Sequence, residues 1–190
     1  SAMILSAGFT FHLGSDNWTK YGWFSFFSTL ALYNGQRIFK LGEKNKSQWL
    51  YWVKKKRRGL VFLVLISSLA ALIYLSFLLK VKSSTVFILT VSATISVFYI
   101  LRVRGVNMRE TPYLKIHLIA IVWSLMLIVF PIINEGANVS WWGYGLAHYF
   151  FVLAVTIPFD IRDLKYDLKK YKTIPQVFGV FIAKCIGVFL

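Results

Sequence analysis

GLVFLVLISSLAALIYLSFLL, Gly59–Leu79, holds no charged residue. A bilayer's hydrocarbon core of about 30 Å asks for roughly 20 consecutive apolar residues in a helix, and this run meets that demand alone. Similar runs lie on both sides of it: Ser83 to Leu101, Leu114 to Ile133 and Trp142 to Phe159 follow, and Phe178 to Leu190 opens another. Upstream, Tyr21 to Phe39 reads as a span despite its polar residues, and Met3 to Leu13 as the end of a first helix. The composition agrees, with 57% of residues hydrophobic, 15% charged and a mean hydropathy of +0.62. The expected fold is all-α, a polytopic transmembrane bundle of about seven helices making one domain over residues 1–190.

The formal net charge of +15 invites a nucleic-acid reading until its distribution is examined. Lys and Arg number nine from Arg37 to Arg58, four from Arg102 to Lys115 and five from Arg162 to Lys172. The alternate loops hold only Lys20, then Lys80 and Lys82, then none from Asn134 to Trp142. Short basic loops stay in the cytoplasm, so helices threaded in order put all three basic loops on that side. The charge is a topology signal, reinforced by attraction to anionic lipid headgroups. A nucleic-acid footprint would be a basic stripe on a water-facing domain, and none is expected here. No basic segment precedes the first apolar stretch, so no cleavable signal is expected either. The expected location is a multi-pass protein of the cell's inner or plasma membrane.

The chemistry gathers in one basic loop, DIRDLKYDLKKYKTIP, Asp160–Pro175. The chain has seven acidic residues, and Asp160, Asp163 and Asp167 fall within eight positions. At about 100° per residue a helix would set these three on one face and turn Arg162, Lys165 and Lys169 to the other. Converging carboxylates repel one another unless a cation sits between them. Hard oxygen ligands suit Mg²⁺, which commonly takes one or two carboxylates together with substrate phosphate oxygens. The plainer alternative is a solvated loop whose acids pair with neighbouring basic residues.

Elsewhere the motifs are sparse. Gly14 to Lys20 is a polar turn, Lys80 to Ser84 a tight one joining two spans, and Asn134 to Ser140 another, entered after Pro131 ends the span from Leu114. Leu41 to Arg58, with Trp49, Tyr51 and Trp52 among its basic residues, suits a helix lying in the membrane interface. Asn34 and Arg37 at a helix end either line a cavity or, for Arg37, snorkel to the headgroups. His117 reads as a satisfied interior histidine. The single cysteine, Cys185, reads as a small buried hydrophobe and makes a disulfide framework impossible.

The run Asp160-Ile161-Arg162-Asp163-Leu164-Lys165-Tyr166-Asp167 followed by Lys172-Thr173-Ile174-Pro175 resembles the second aspartate-rich motif of the UbiA superfamily of membrane prenyltransferases. The resemblance implies a nine-helix bundle of which this chain carries about seven, with two further helices to follow. It implies transfer of a prenyl group from a polyprenyl diphosphate to an aromatic or other lipophilic acceptor, with Mg²⁺ between the aspartates and the diphosphate. Asp160, Asp163 and Asp167 would be the catalytic metal ligands, and Asn34, Arg37, Arg102, Arg104 and Lys172 would hold the diphosphate. Aromatic faces at Phe24, Phe27, Tyr33, Tyr149 and Phe150 would steady the allylic cation.

The departures are equally specific. The family's first motif is Asn followed by Asp four and eight positions later, whereas Asn34 is followed by Ile38 and Gly42. A phosphate-contacting Tyr-x-x-x-Lys element is also altered, with Tyr99 in place and Val103 at the lysine position between Arg102 and Arg104. The alternative they leave open is a non-catalytic relative that binds a lipid diphosphate or a partner subunit.

Overall fold

The structure is a computed structural model and describes residues 1–39, 53–100, 102–103, 106–107, 111, 114–164 and 172–190. Among these the chain is helical except for turns and a two-residue antiparallel pairing of Arg102–Val103 with Val106–Asn107. The helices are α1 (Ala2–His12), α2 (Trp18–Phe39), α3 (Arg57–Leu78), α4 (Ser83–Ile100), α5 (Leu114–Glu135), α6 (Trp141–Asp163) and α7 (Ile174–Phe189). Each apolar run of the sequence lies on one of them. Three, α3, α5 and α6, are long and apolar enough to cross a membrane.

Pro131 does not end its helix, contrary to expectation. Proline lacks the N–H that would bond the carbonyl four residues back, and its ring crowds that carbonyl. Just before it, Leu125–Val129 widens into a π turn in which the Phe130 N–H reaches the Leu125 carbonyl. The wider turn absorbs the proline, and α5 continues to Glu135, shortening the expected Asn134–Ser140 turn.

The chain divides into two compact units. The first comprises Ser1–Val86 and Asn134–Ala137, with α2 packed against α1 and α3. Helix α1 buries Ala2, Ser6 and Thr10, small residues one turn apart. Opposite them, a β-carbon at Gly22 would lie 3.0 Å from Ala7 Cβ and 3.3 Å from the Met3 carbonyl oxygen. Small side chains let the two backbones approach, and the Ser6 hydroxyl donates across to the Tyr21 carbonyl at 3.4 Å. On α3 only a narrow strip is buried, while Phe62, Leu65, Leu69, Leu72 and Phe77 stand exposed.

One knot of polar groups closes this unit. Asn134 Nδ2 donates to the Tyr21 hydroxyl (2.7 Å) and to the Leu79 carbonyl (3.3 Å). Its Oδ1 accepts the Lys82 N–H (3.0 Å) and the Thr85 hydroxyl (3.2 Å). Tyr21, fully buried, donates in turn to Glu135 Oε1 at 2.7 Å. Buried polar groups stand only when partnered, and here each end of the last turn of α5 is.

The second unit comprises Phe87–Ile133 and Asn138–Leu190, with α6 packed against α5 and α7. Its core holds Ile116 and Ala120 of α5 against Val152 and Leu153 of α6, with Trp123, Tyr149 and Ile174 around them. Where α5 and α6 approach, a β-carbon at Gly145 would lie 2.9 Å from Val129 Cγ2, and the Ser124 hydroxyl donates to the Gly145 carbonyl. Ser140 caps α6, accepting the Gly143 N–H at 3.3 Å. Helix α7 starts where Gln176 Oε1 accepts the Thr173 N–H (3.2 Å), and it is broken at Gly179, whose φ of 82° a side-chain-bearing residue rarely adopts. Cys185 is exposed, not buried as expected. Ala183 is the buried residue of that stretch, and two positions further round the helix about 200° separates the faces.

Candidate functional site

The acidic stretch lies at the end of α6. Pro158 interrupts that helix's hydrogen bonding within its last two turns, leaving the Ala154 carbonyl without an N–H from four residues on. Gly187 of α7 sits close beside it, since a β-carbon there would be 3.7 Å from that oxygen. The chain then turns inward at Asp160, which is 3% exposed. Its Oδ1 accepts a hydrogen bond from Lys115 Nζ at 2.7 Å, an ion pair between the last turn of α6 and the first turn of α5.

Asp163 points elsewhere. Arg162 Nε donates to its Oδ1 at 2.7 Å and the second guanidinium nitrogen to Oδ2 at 3.2 Å, a fork on one carboxylate. The Arg162 guanidinium also lies 5.2 Å from the centre of the Phe159 ring. The expected segregation of acids from bases around one wheel is therefore not what the described residues show, because Arg162 folds back onto its neighbour. Helix α6 ends at Asp163, and Asp167 lies outside the described residues, as do Arg104 and the Arg102 side chain. Lys172 is exposed and held at φ 44°, immediately before the cap of α7.

Asn34 and Arg37 belong to the first unit. Asn34 is buried and its Nδ2 donates to the Leu30 carbonyl of its own helix at 2.8 Å. Arg37 lies 4.6 Å from the centre of the Tyr33 ring, a cation–π contact within one helix face. Of the expected aromatics, Phe24 is buried, while Tyr33 and Phe150 are exposed. Tyr149 stacks on His117, its hydroxyl 2.6 Å from Nδ1, so His117 is the satisfied interior histidine that the sequence suggests.

As metal ligands the two described aspartates differ. An oxygen already holding an ammonium at 2.7 Å, as Asp160 Oδ1 does, stands where a divalent ion would stand. Asp163 is partly open to solvent, its side chain 36% exposed, and offers the hard oxygen donors Mg²⁺ prefers. Among the described residues no three His, Cys, Asp or Glu side chains come together to hold a metal.

Lys115 is the residue that sequence reading missed: it counts there only as one of the four basic residues between two spans. Its place in the first turn of a helix, where a cation opposes the helix dipole, is the signal that could have drawn attention to it. Comparison with protein-family models, with curated proteins and with solved structures returns no match to this chain.

Proposed function

We propose that the protein is a multi-pass membrane protein that takes a polyprenyl diphosphate at the cytoplasmic end of α6 and transfers its prenyl group to a lipophilic acceptor, as a UbiA-like prenyltransferase. The observation that carries the reading is the way α6 ends. A 23-residue apolar helix finishes in carboxylates that meet basic side chains, Asp160 with Lys115 and Asp163 with Arg162. Acids and bases concentrated at the end of a helix of spanning length fit a ligand with a charged head and an apolar tail. The membrane part is supported by α3, on which Phe62, Leu65, Leu69 and Phe77 are exposed in a helix of spanning length. An apolar helix with such faces is stable only in an apolar solvent.

The chemistry asked of the site is heterolysis. The allylic C–O bond breaks with its electron pair on the diphosphate, the acceptor atom bonds the allylic carbon, and the acceptor's proton leaves with the diphosphate. Mg²⁺ on Asp163 and Asp167, when bound, supplies positive charge to the departing oxygens. Lys172 adds a fixed cation beside α7. The ring of Tyr149, held in place by His117, presents an aromatic face of the kind that stabilises a nearby cation by about 0.5–2 kcal/mol.

The test is direct. Purified protein with Mg²⁺ and a labelled polyprenyl diphosphate should release diphosphate in the presence of an aromatic or lipid acceptor, and Asp163→Ala or Asp167→Ala should abolish it. Binding without release in every acceptor tried would favour a non-catalytic lipid-diphosphate binder, the reading that Ile38 and Gly42 in place of aspartates support. Neither binding nor release would end both.

A further inference from the structure

The Lys115–Asp160 pair has a polarity that stability alone does not account for. The carboxylate side chain is 4% exposed and the lysine side chain 17%, so what approaches from solvent meets the ammonium, never the acid. Each charge also stands at the wrong end of its helix. Lys115 is the second residue of α5, at the positive end of that helix's dipole, and Asp160 is in the last turn of α6, at the negative end. A buried ion pair is often no more stable than two well-packed apolar residues, and this one works against two dipoles besides. An anion placed on Lys115 reverses that disadvantage, because the start of α5 then faces negative charge, the arrangement that helix N-termini favour.

We propose that Lys115 is a diphosphate-binding residue, its ammonium fixed by the buried Asp160 and offered outward to a phosphate oxygen, so that Asp160 positions a lysine instead of ligating a metal. This rests on the proposed function and sharpens it. Carboxylate, ammonium and phosphate form a line of alternating charge in which the central cation is part of the chain. The affinity it contributes is therefore present without a divalent ion. Asp160, sealed behind the lysine, never meets the ligand and acts only through it.

The experiment titrates the full chain in detergent, by calorimetry, with inorganic pyrophosphate and with farnesyl diphosphate, each in EDTA and in Mg²⁺. The variants are Lys115→Arg, Lys115→Met and the double variant Lys115→Met with Asp160→Leu, which leaves no unpaired buried charge if the single variant fails to fold. Wild type should bind in EDTA, Lys115→Arg should retain binding, and the folded double variant should bind at least about tenfold more weakly. A tail-bearing probe that binds tighter than pyrophosphate identifies a lipid as the ligand, and equal affinities identify the free anion. In either case dependence on Lys115 supports the assignment. A folded double variant that binds like wild type overturns it while leaving the proposed function standing, as does wild-type binding that appears only with Mg²⁺. Absence of binding to both probes under both conditions overturns the function and the assignment together.

Discussion

Lys115 and Asp160 make the most exacting demand at the scale of single residues. Removing one member of a buried pair strands the other in a low-dielectric interior, at a cost of about 3–5 kcal/mol. Asp160→Ala should therefore lower the thermal unfolding midpoint sharply, and adding Lys115→Met should restore much of it. If the single variant unfolds like wild type, the 2.7 Å contact is not holding the two helices together. Lys172 poses the opposite case. Its φ of 44° is a left-handed conformation that disfavours a side chain by about 1–2 kcal/mol, and glycine occupies it freely. Lys172→Gly should raise stability by about 1 kcal/mol while weakening diphosphate binding, read by unfolding and by titration on the same sample. Strain kept where a functional cation stands is the pattern such sites show. A variant that is both more stable and equally tight would remove Lys172 from the diphosphate site.

At the scale of helices, approach distance decides which contacts hold. Gly145 leaves no room for a β-carbon, which would stand 2.9 Å from Val129 Cγ2 where α5 meets α6. Gly145→Ala should cost about 1–3 kcal/mol through forced repacking, whereas Gly8→Ala, with open space around it, should not. Asn134 tests a different principle, since its amide serves the Tyr21 hydroxyl, the Leu79 carbonyl, the Lys82 N–H and the Thr85 hydroxyl. Asn134→Leu leaves several buried groups unmatched and should cost at least about 2 kcal/mol. Tyr21→Phe, which loses a hydroxyl and keeps the ring, should cost less. Equal effects from the two would mean that packing, not hydrogen bonding, sets the value of that knot.

For the whole molecule, local composition was enough to place the helices and too little to place their partners. The runs around Leu60, Phe87, Ile119 and Val152 were legible because uncharged stretches of that length have few conformational options. Pro131 was misread because a π turn, which has no sequence signature of its own, absorbs it. Cys185 was misread because an apolar run does not say which of its faces is covered. The acidic stretch was legible as chemistry, but pairing across helices is a tertiary fact, so neither Lys115 on Asp160 nor Asn134 on Tyr21 could be read from spacing. The same limit applies to topology, which rests on the four basic residues of Arg102–Lys115 against none from Asn134 to Trp142. Those two loops flank α5, so one crossing separates them if the proposal is right. With the only cysteine removed by Cys185→Ser, Thr111→Cys and Asn138→Cys each carry one reporter. A membrane-impermeant maleimide added to intact cells should label Asn138→Cys at once and Thr111→Cys only after permeabilisation. The reverse order would invert the topology and put the carboxylates of α6 outside the cytoplasm. Equal labelling in intact cells would mean that α5 does not cross at all, and a prenyl diphosphate would then have no bilayer from which to reach the end of α6.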